Sequence, residues 1–93
     1  MLEREVEQAL VREARKAGGI APKFTSPGNA GMPDRIIILP GGKVCFVELK
    51  APGQKPRPLQ IRQMDRLTQL GCMVRTLDHP NQISGLIDEI RSA

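Results

Sequence analysis

Residues 33–50 read PDRIIILPGGKVCFVELK, and the order of apolar and polar positions within them decides the fold. Arg35-Ile36-Ile37-Ile38-Leu39 is rich in β-branched side chains, which fit a pleated, half-buried surface. Pro40-Gly41-Gly42 supplies a turn and Val44 to Leu49 resumes a strand, so the two runs are expected to pair as a hairpin. No helix follows Gly41-Gly42-Lys43, which makes this a hairpin turn and not a phosphate-binding loop. Alternate side chains of a strand share a face, so Phe46, Glu48 and Lys50 point one way and Leu49 the other. Asp34 opens the first strand, and the hairpin carries it to the Glu48 end.

A charged pair at the end of an apolar strand is costly to bury unless it has partners or a task. Two carboxylates and a lysine at the mouth of a small sheet can hold a hard divalent cation such as Mg²⁺, which takes oxygen ligands and keeps several waters. The metal lowers the pKa of a bound water and offsets charge on a phosphate. Lys50 would position or deprotonate that water, or stabilise the charge that develops. The same spacing also arises as a chance surface ion pair. Three surroundings favour a site: Pro33 fixes where the strand starts, Gly28 and Gly31 permit close backbone approach to a ligand, and a basic excess follows Lys50.

Outward from the hairpin, Leu2, Val6, Ala9, Leu10, Ala14 and Ala17 follow helical spacing, with Gly18-Gly19 as a stop. Ile20 to Thr25 reads as a short strand interrupted by Pro22, and residues 26–33 read as a loop. After an irregular stretch with three prolines, a helix starts at Pro58 and runs to about Leu70, capped by Gly71. Cys72 to Leu77 reads as a strand. Asp78-His79-Pro80 opens a last helix whose Ile83, Leu86, Ile87 and Ile90 form one apolar stripe. The expected class is α/β (α+β), ordered α-β-β-β-α-β with a C-terminal helix, a small mixed sheet flanked by helices. Residues 1–93 form a single domain.

Composition narrows the function. Hydrophobic residues at 40% and charged residues at 26% argue against disorder, and two phenylalanines without Trp or Tyr argue against base stacking on aromatic platforms. Two cysteines and one histidine cannot build a zinc site. Cys45 and Cys72 are read as buried thiols, and His79 as a turn residue outside the catalytic motif. No apolar run reaches the roughly 20 residues of a membrane span, and the acidic, helical N-terminus is unlike a signal peptide. The expectation is a cytoplasmic protein with no membrane partner. Net charge is +4, and residues 51–66 hold four basic residues (Lys55, Arg57, Arg62 and Arg66) against one acidic. That stretch is either a solvated face or a contact for an anionic polymer such as DNA.

Pro33-Asp34, followed after thirteen intervening residues by Glu48-Leu49-Lys50, resembles the PD-(D/E)XK nuclease superfamily, whose restriction-endonuclease-like core has a similar element order. More narrowly, GMPDR, FVELKAPG and PLQ in that order resemble the virus-type replication-repair nuclease domain, VRR-NUC, in its small stand-alone phage or bacterial form. The resemblance implies a Mg²⁺- or Mn²⁺-dependent DNA endonuclease. Asp34, Glu48 and the backbone carbonyl of Leu49 would hold the metal, and Lys50 would be catalytic. Gln60 matches the glutamine that follows the lysine motif. The family also uses a glutamate of the first helix, for which Glu7 fits best while Glu3 and Glu13 compete. Compact members resemble Holliday-junction resolvases acting as homodimers. The alternatives are flap or exonuclease activity in DNA repair, or a catalytically idle nucleic-acid-binding module.

Overall fold

The hairpin forms the heart of the sheet. In the computed structural model, which describes Met1–Ala93, β1 (Arg35–Leu39) runs antiparallel to β2 (Lys43–Leu49), with Arg35 opposite Val47 and Leu39 opposite Lys43. A third strand, β3 (Val74–Leu77), lies parallel to β2 with Glu48 opposite Thr76. The sheet is therefore mixed, in the order β1-β2-β3, and the motif strand is its central one. A parallel neighbour requires a crossover, which α2 (Pro58–Gln69) provides.

The short strand expected at Ile20 to Thr25 is reduced to two isolated antiparallel bridges, Ile20 to Ile38 and Lys23 to Arg35. Pro22 is the reason: its carbonyl accepts the Ile36 N–H at 3.1 Å, but it has no N–H to return. The segment thus borders β1 without extending the sheet as a regular strand. Gly19 lets it leave the first helix, because a Cβ there would lie 2.2 Å from the Ile38 carbonyl oxygen.

Helices α1 (Glu3–Lys16) and α3 (Ile83–Ser92) cover one face of the sheet. Val6, Leu10 and Ala14 of α1 meet Ile37, Val47 and Leu49 of the sheet and Ile83 and Ile90 of α3 in one apolar core. Helix α1 begins one residue later than its apolar spacing suggests, because Glu5 accepts the Leu2 N–H at 2.7 Å and makes Leu2 the cap. Arg75 of β3 binds Glu89 of α3 through two donors, at 3.0 and 2.9 Å, tying strand to helix. A 3₁₀ turn, Pro80–Gln82, precedes α3, and His79 Nδ1 caps it by accepting the Asn81 N–H at 3.1 Å.

The two cysteines differ. Cys45 is fully buried in the core, and burial pushes its thiol up to about 11. Cys72 lies before β3, which starts only at Val74, and is half-buried, so the expectation of a buried thiol there is corrected.

Helix α2 packs on the other face, where Thr76 Oγ1 donates to Met64 Sδ at 3.7 Å. Among its residues only Gln60 is buried. The loop before β1 is seated on this helix: Gln63 Nε2 donates to the Ala30 carbonyl at 3.0 Å. Gly31 has φ +85° and approaches so closely that a Cβ would lie 2.8 Å from Leu59 Cγ. The backbone freedom of Gly31 serves this close contact with α2.

Candidate active site

The parity of the hairpin separates two environments. Cys45, Val47 and Leu49 enter the core under α1 and α3, while Glu48 lies on the opposite face with Phe46, whose ring meets Phe24 edge-on at 5.4 Å. Asp34 sits just before β1 and is fixed from three directions. Its N–H donates to the Val47 carbonyl at 3.0 Å, and its carbonyl accepts the Phe24 N–H at 2.8 Å. Its side-chain Oδ2 accepts the Leu49 N–H at 2.9 Å.

Glu48 is 1% exposed, and neither of its carboxylate oxygens has a hydrogen-bond partner. Lys50 Nζ stands 3.5 Å from Oε2, close enough to attract but not to saturate it. The Glu48 carboxyl is pushed up to about 7, first by burial and then by the adjacent Asp34 carboxyl, with Lys50 pulling the other way. A buried carboxylate left open beside a second carboxylate is a group awaiting a cation or a proton.

The donor set fits Mg²⁺ or Mn²⁺. No group of three or more Asp, Glu, His or Cys residues is placed to hold a metal ion together. A hard ion that keeps several waters needs only one or two carboxylates, which Asp34 and Glu48 supply. The unpartnered oxygens of Glu48 are the observation that makes the fit specific to this place.

The remaining residues singled out by sequence divide. Glu7 does not join Asp34 and Glu48: its Oε2 is held by Arg35, at 3.1 Å from Nε and 3.0 Å from Nη2. Glu13 pairs with Lys16 at 3.2 Å, and Glu3 is exposed in the first turn of α1. Gln60 is buried at the start of α2, where its Oε1 accepts the Arg57 N–H at 2.7 Å and caps the helix. Lys55, Arg57, Arg62 and Arg66 are all exposed, and none forms an ion pair. Arg66 also lines a groove of about 200 Å³ between α2 and the loop, with Ser26 and Asn29.

Arg35 escaped the sequence reading. Its guanidinium also donates to the Ala21 carbonyl at 2.7 Å, joining β1, α1 and the bordering segment. The signal was available, because Arg35 has opposite parity to Asp34 and must therefore face α1.

No protein-family model matches the chain. It is 57% identical over 76 residues to a protein named "Putative nuclease p44" from Acyrthosiphon pisum secondary endosymbiont phage 1, covering 82% of each chain. A solved structure described as a VRR_NUC domain superposes with a TM-score of 0.85 at 32% identity, covering 92% of this chain and 94% of that one. A second, described as a VRR_NUC domain protein, shares the fold with a TM-score of 0.74 at 20% identity, covering 99% of this chain and 89% of that one.

Proposed function

Because the chain belongs to the VRR_NUC family of nuclease domains, we propose that it hydrolyses DNA phosphodiester bonds with a divalent cation held by Asp34, Glu48 and the Leu49 carbonyl. The observation that carries this reading is the buried Glu48 carboxylate, unpartnered beside Asp34 and 3.5 Å from Lys50. When bound, Mg²⁺ or Mn²⁺ would acidify water and offset negative charge on the phosphate. Lys50 would offer its ammonium donors to orient the attacking water and to the non-bridging oxygens as charge builds on them. Water adds to phosphorus in line with the leaving oxygen, whose bond to phosphorus breaks as the new one forms. Gln60, fixed through its Oε1, would turn its free amide donors toward the substrate.

Glu7 has no place in this proposal beyond holding Arg35. Lys55, Arg57, Arg62 and Arg66 would hold the DNA backbone against the repulsion of the carboxylates. Each chain carries one such site, so cutting two strands symmetrically requires two chains. A two-fold homodimer resolving four-way junctions meets that requirement. No helix is long and apolar enough to cross a membrane, and the proposed setting is the cytoplasm of a bacterial cell.

The test is cleavage of labelled four-way junction, flap, duplex and single-stranded DNA with Mg²⁺ and with Mn²⁺, alongside Glu48→Gln. Paired symmetrical nicks in the junction are expected. Cleavage confined to flaps or ends would replace resolution by a flap or exonuclease activity. Binding without any cleavage would make the chain an idle DNA-binding module.

A further inference from the structure

The largest cleft in the molecule is not at Glu48. It is an open groove of about 460 Å³ along α1, lined by Arg12, Arg15, Lys16 and Arg35, with Val11 its one apolar residue. Its single acidic lining residue, Glu7, is already occupied by Arg35 at 3.0 Å. Glu13 outside the groove pairs with Lys16 at 3.2 Å but reaches Arg12 only at 3.9 Å. Arg15 pairs with no acid at all. An adjoining groove of about 280 Å³ shares Arg15 and Arg35 and continues past Ile20 to Pro22, along the segment that borders β1. The path therefore runs from the middle of α1 to the edge of the sheet, and ends at the residue following Asp34.

We propose that this α1 groove is a second binding surface for the phosphodiester backbone of a DNA strand, on the face of the sheet opposite the α2 cations. The proposal rests on the nuclease reading, since it gives a second arm of that same substrate a seat. Arg12 and Arg15 are the cations least engaged by acids, and the planar fork of donors on each matches phosphate oxygens. Gln8 to Arg15 spans about 10 Å of helix, the length of about three nucleotides of a duplex strand. A second copy of the chain fits less well, because a two-fold contact would bring like charges together. Two backbone-binding surfaces on opposite faces of the sheet suit a substrate with two arms.

The experiment measures binding by fluorescence anisotropy in the Glu48→Gln background, so that nothing is cut. Fluorescein-labelled four-way junction is titrated at several salt concentrations against that protein and against the same protein carrying Arg12→Ala and Arg15→Ala. The expected result is a fall in junction affinity on the order of tenfold, with the slope of log affinity against log salt shallower by roughly 0.9 for each phosphate no longer neutralised. Gln8→Glu, which truncates no side chain and adds one negative charge to the groove, should weaken binding in the same direction. Thermal melting and light scattering accompany each variant. Unchanged affinity and slope in a folded double variant overturns the proposal while leaving the nuclease reading intact. Loss of a dimer with the salt slope retained also overturns it, and makes the groove an interface between copies. If the parent protein binds no DNA and the wild type cuts none, the nuclease reading itself has failed and the groove proposal falls with it.

Discussion

The carboxylate of Asp34 accepts the backbone N–H of Leu49 at 2.9 Å, so the first acidic residue of the motif is fastened to the peptide between the other two. The hairpin thereby ties Asp34 to the strand that carries Glu48 and Lys50. Asparagine retains a side-chain carbonyl that can accept the same N–H, whereas alanine leaves that donor empty. Asp34→Asn should therefore abolish cleavage and weaken Mn²⁺ binding in a calorimetric titration while melting within a few degrees of wild type. Asp34→Ala should also lose about 1–2 kcal/mol of stability in urea unfolding. Equal melting of the two variants would mean that the bond to Leu49 does not hold the site.

Glu48 carries a pH dependence whose sign follows from its raised carboxyl. With a folded value of about 7 against an ordinary 4.5, the native state binds the extra proton between those limits and the unfolded chain does not. Metal-free stability should then fall as pH rises from about 4.5 to 7, by up to about 3 kcal/mol, and stay low above that range. Glu48→Gln removes the ionisation, so it should be more stable than wild type at pH 8 and nearly equal to it at pH 4. It should show no cleavage at any pH. Denaturant unfolding of both proteins across this range, with chelator present, checks the sign. A wild type that gains stability on going from pH 5 to 8 relative to the glutamine variant would contradict it.

These relationships show why some features were legible in sequence and others were not. The hairpin was readable because strand parity and a Pro-Gly-Gly turn are local signals, and parity alone sends Glu48 and Val47 to opposite faces. Ile20 to Thr25 has the composition of a strand, but one missing N–H at Pro22 stops the ladder from closing. Choosing among Glu3, Glu7 and Glu13 was harder, because their helix is amphipathic whichever way the sheet lies across it. Only the partner decides, and for Glu7 that partner is Arg35, 28 residues away. Gln60 shows a further limit. Its match to the motif glutamine was readable, but its bond to the Arg57 N–H depends on where the chain enters the helix.

Lys50 stands beside Glu48 at 3.5 Å but is not a metal ligand by its chemistry, since an ammonium has donors and no acceptor. Lys50→Ala should therefore slow cleavage by about 10²-fold or more while leaving Mn²⁺ binding largely intact. Single-turnover cleavage and calorimetry on the same preparation separate the two effects. A variant that no longer binds metal would instead show that Lys50 holds the carboxylates in place.

Gly31 joins the loop before Asp34 to α2. Its φ of +85° is unfavourable for any side chain, and a Cβ there would lie 2.8 Å from Leu59 Cγ. Gly31→Ala should cost about 1–3 kcal/mol. Because the loop leads directly into Pro33 and Asp34, cleavage should fall at temperatures well below the melting point. Wild-type activity in a destabilised variant would show that the loop does not help to set the position of Asp34.

The final expectation concerns the exposed cations of α2. Arg62 and Arg66 are one helical turn apart, neither has an acidic partner, and α2 packs on the same face of the sheet as Glu48. Carboxylates repel a phosphate chain, so cations nearby are needed to hold it before any metal screens the charge. Cations of this kind act on phosphate and carry no base information, so they should affect every DNA shape alike. Arg62→Ala with Arg66→Ala should weaken binding to both junction and duplex, and flatten the salt dependence by up to roughly one unit for each phosphate left without its arginine. The comparison with the α1 groove is informative. A duplex reaching only one surface should respond to the α2 pair alone, whereas a junction spanning both should respond to either pair. An unchanged salt slope in the α2 variant, with folding and oligomeric state intact, would move the path of the scissile strand off this helix.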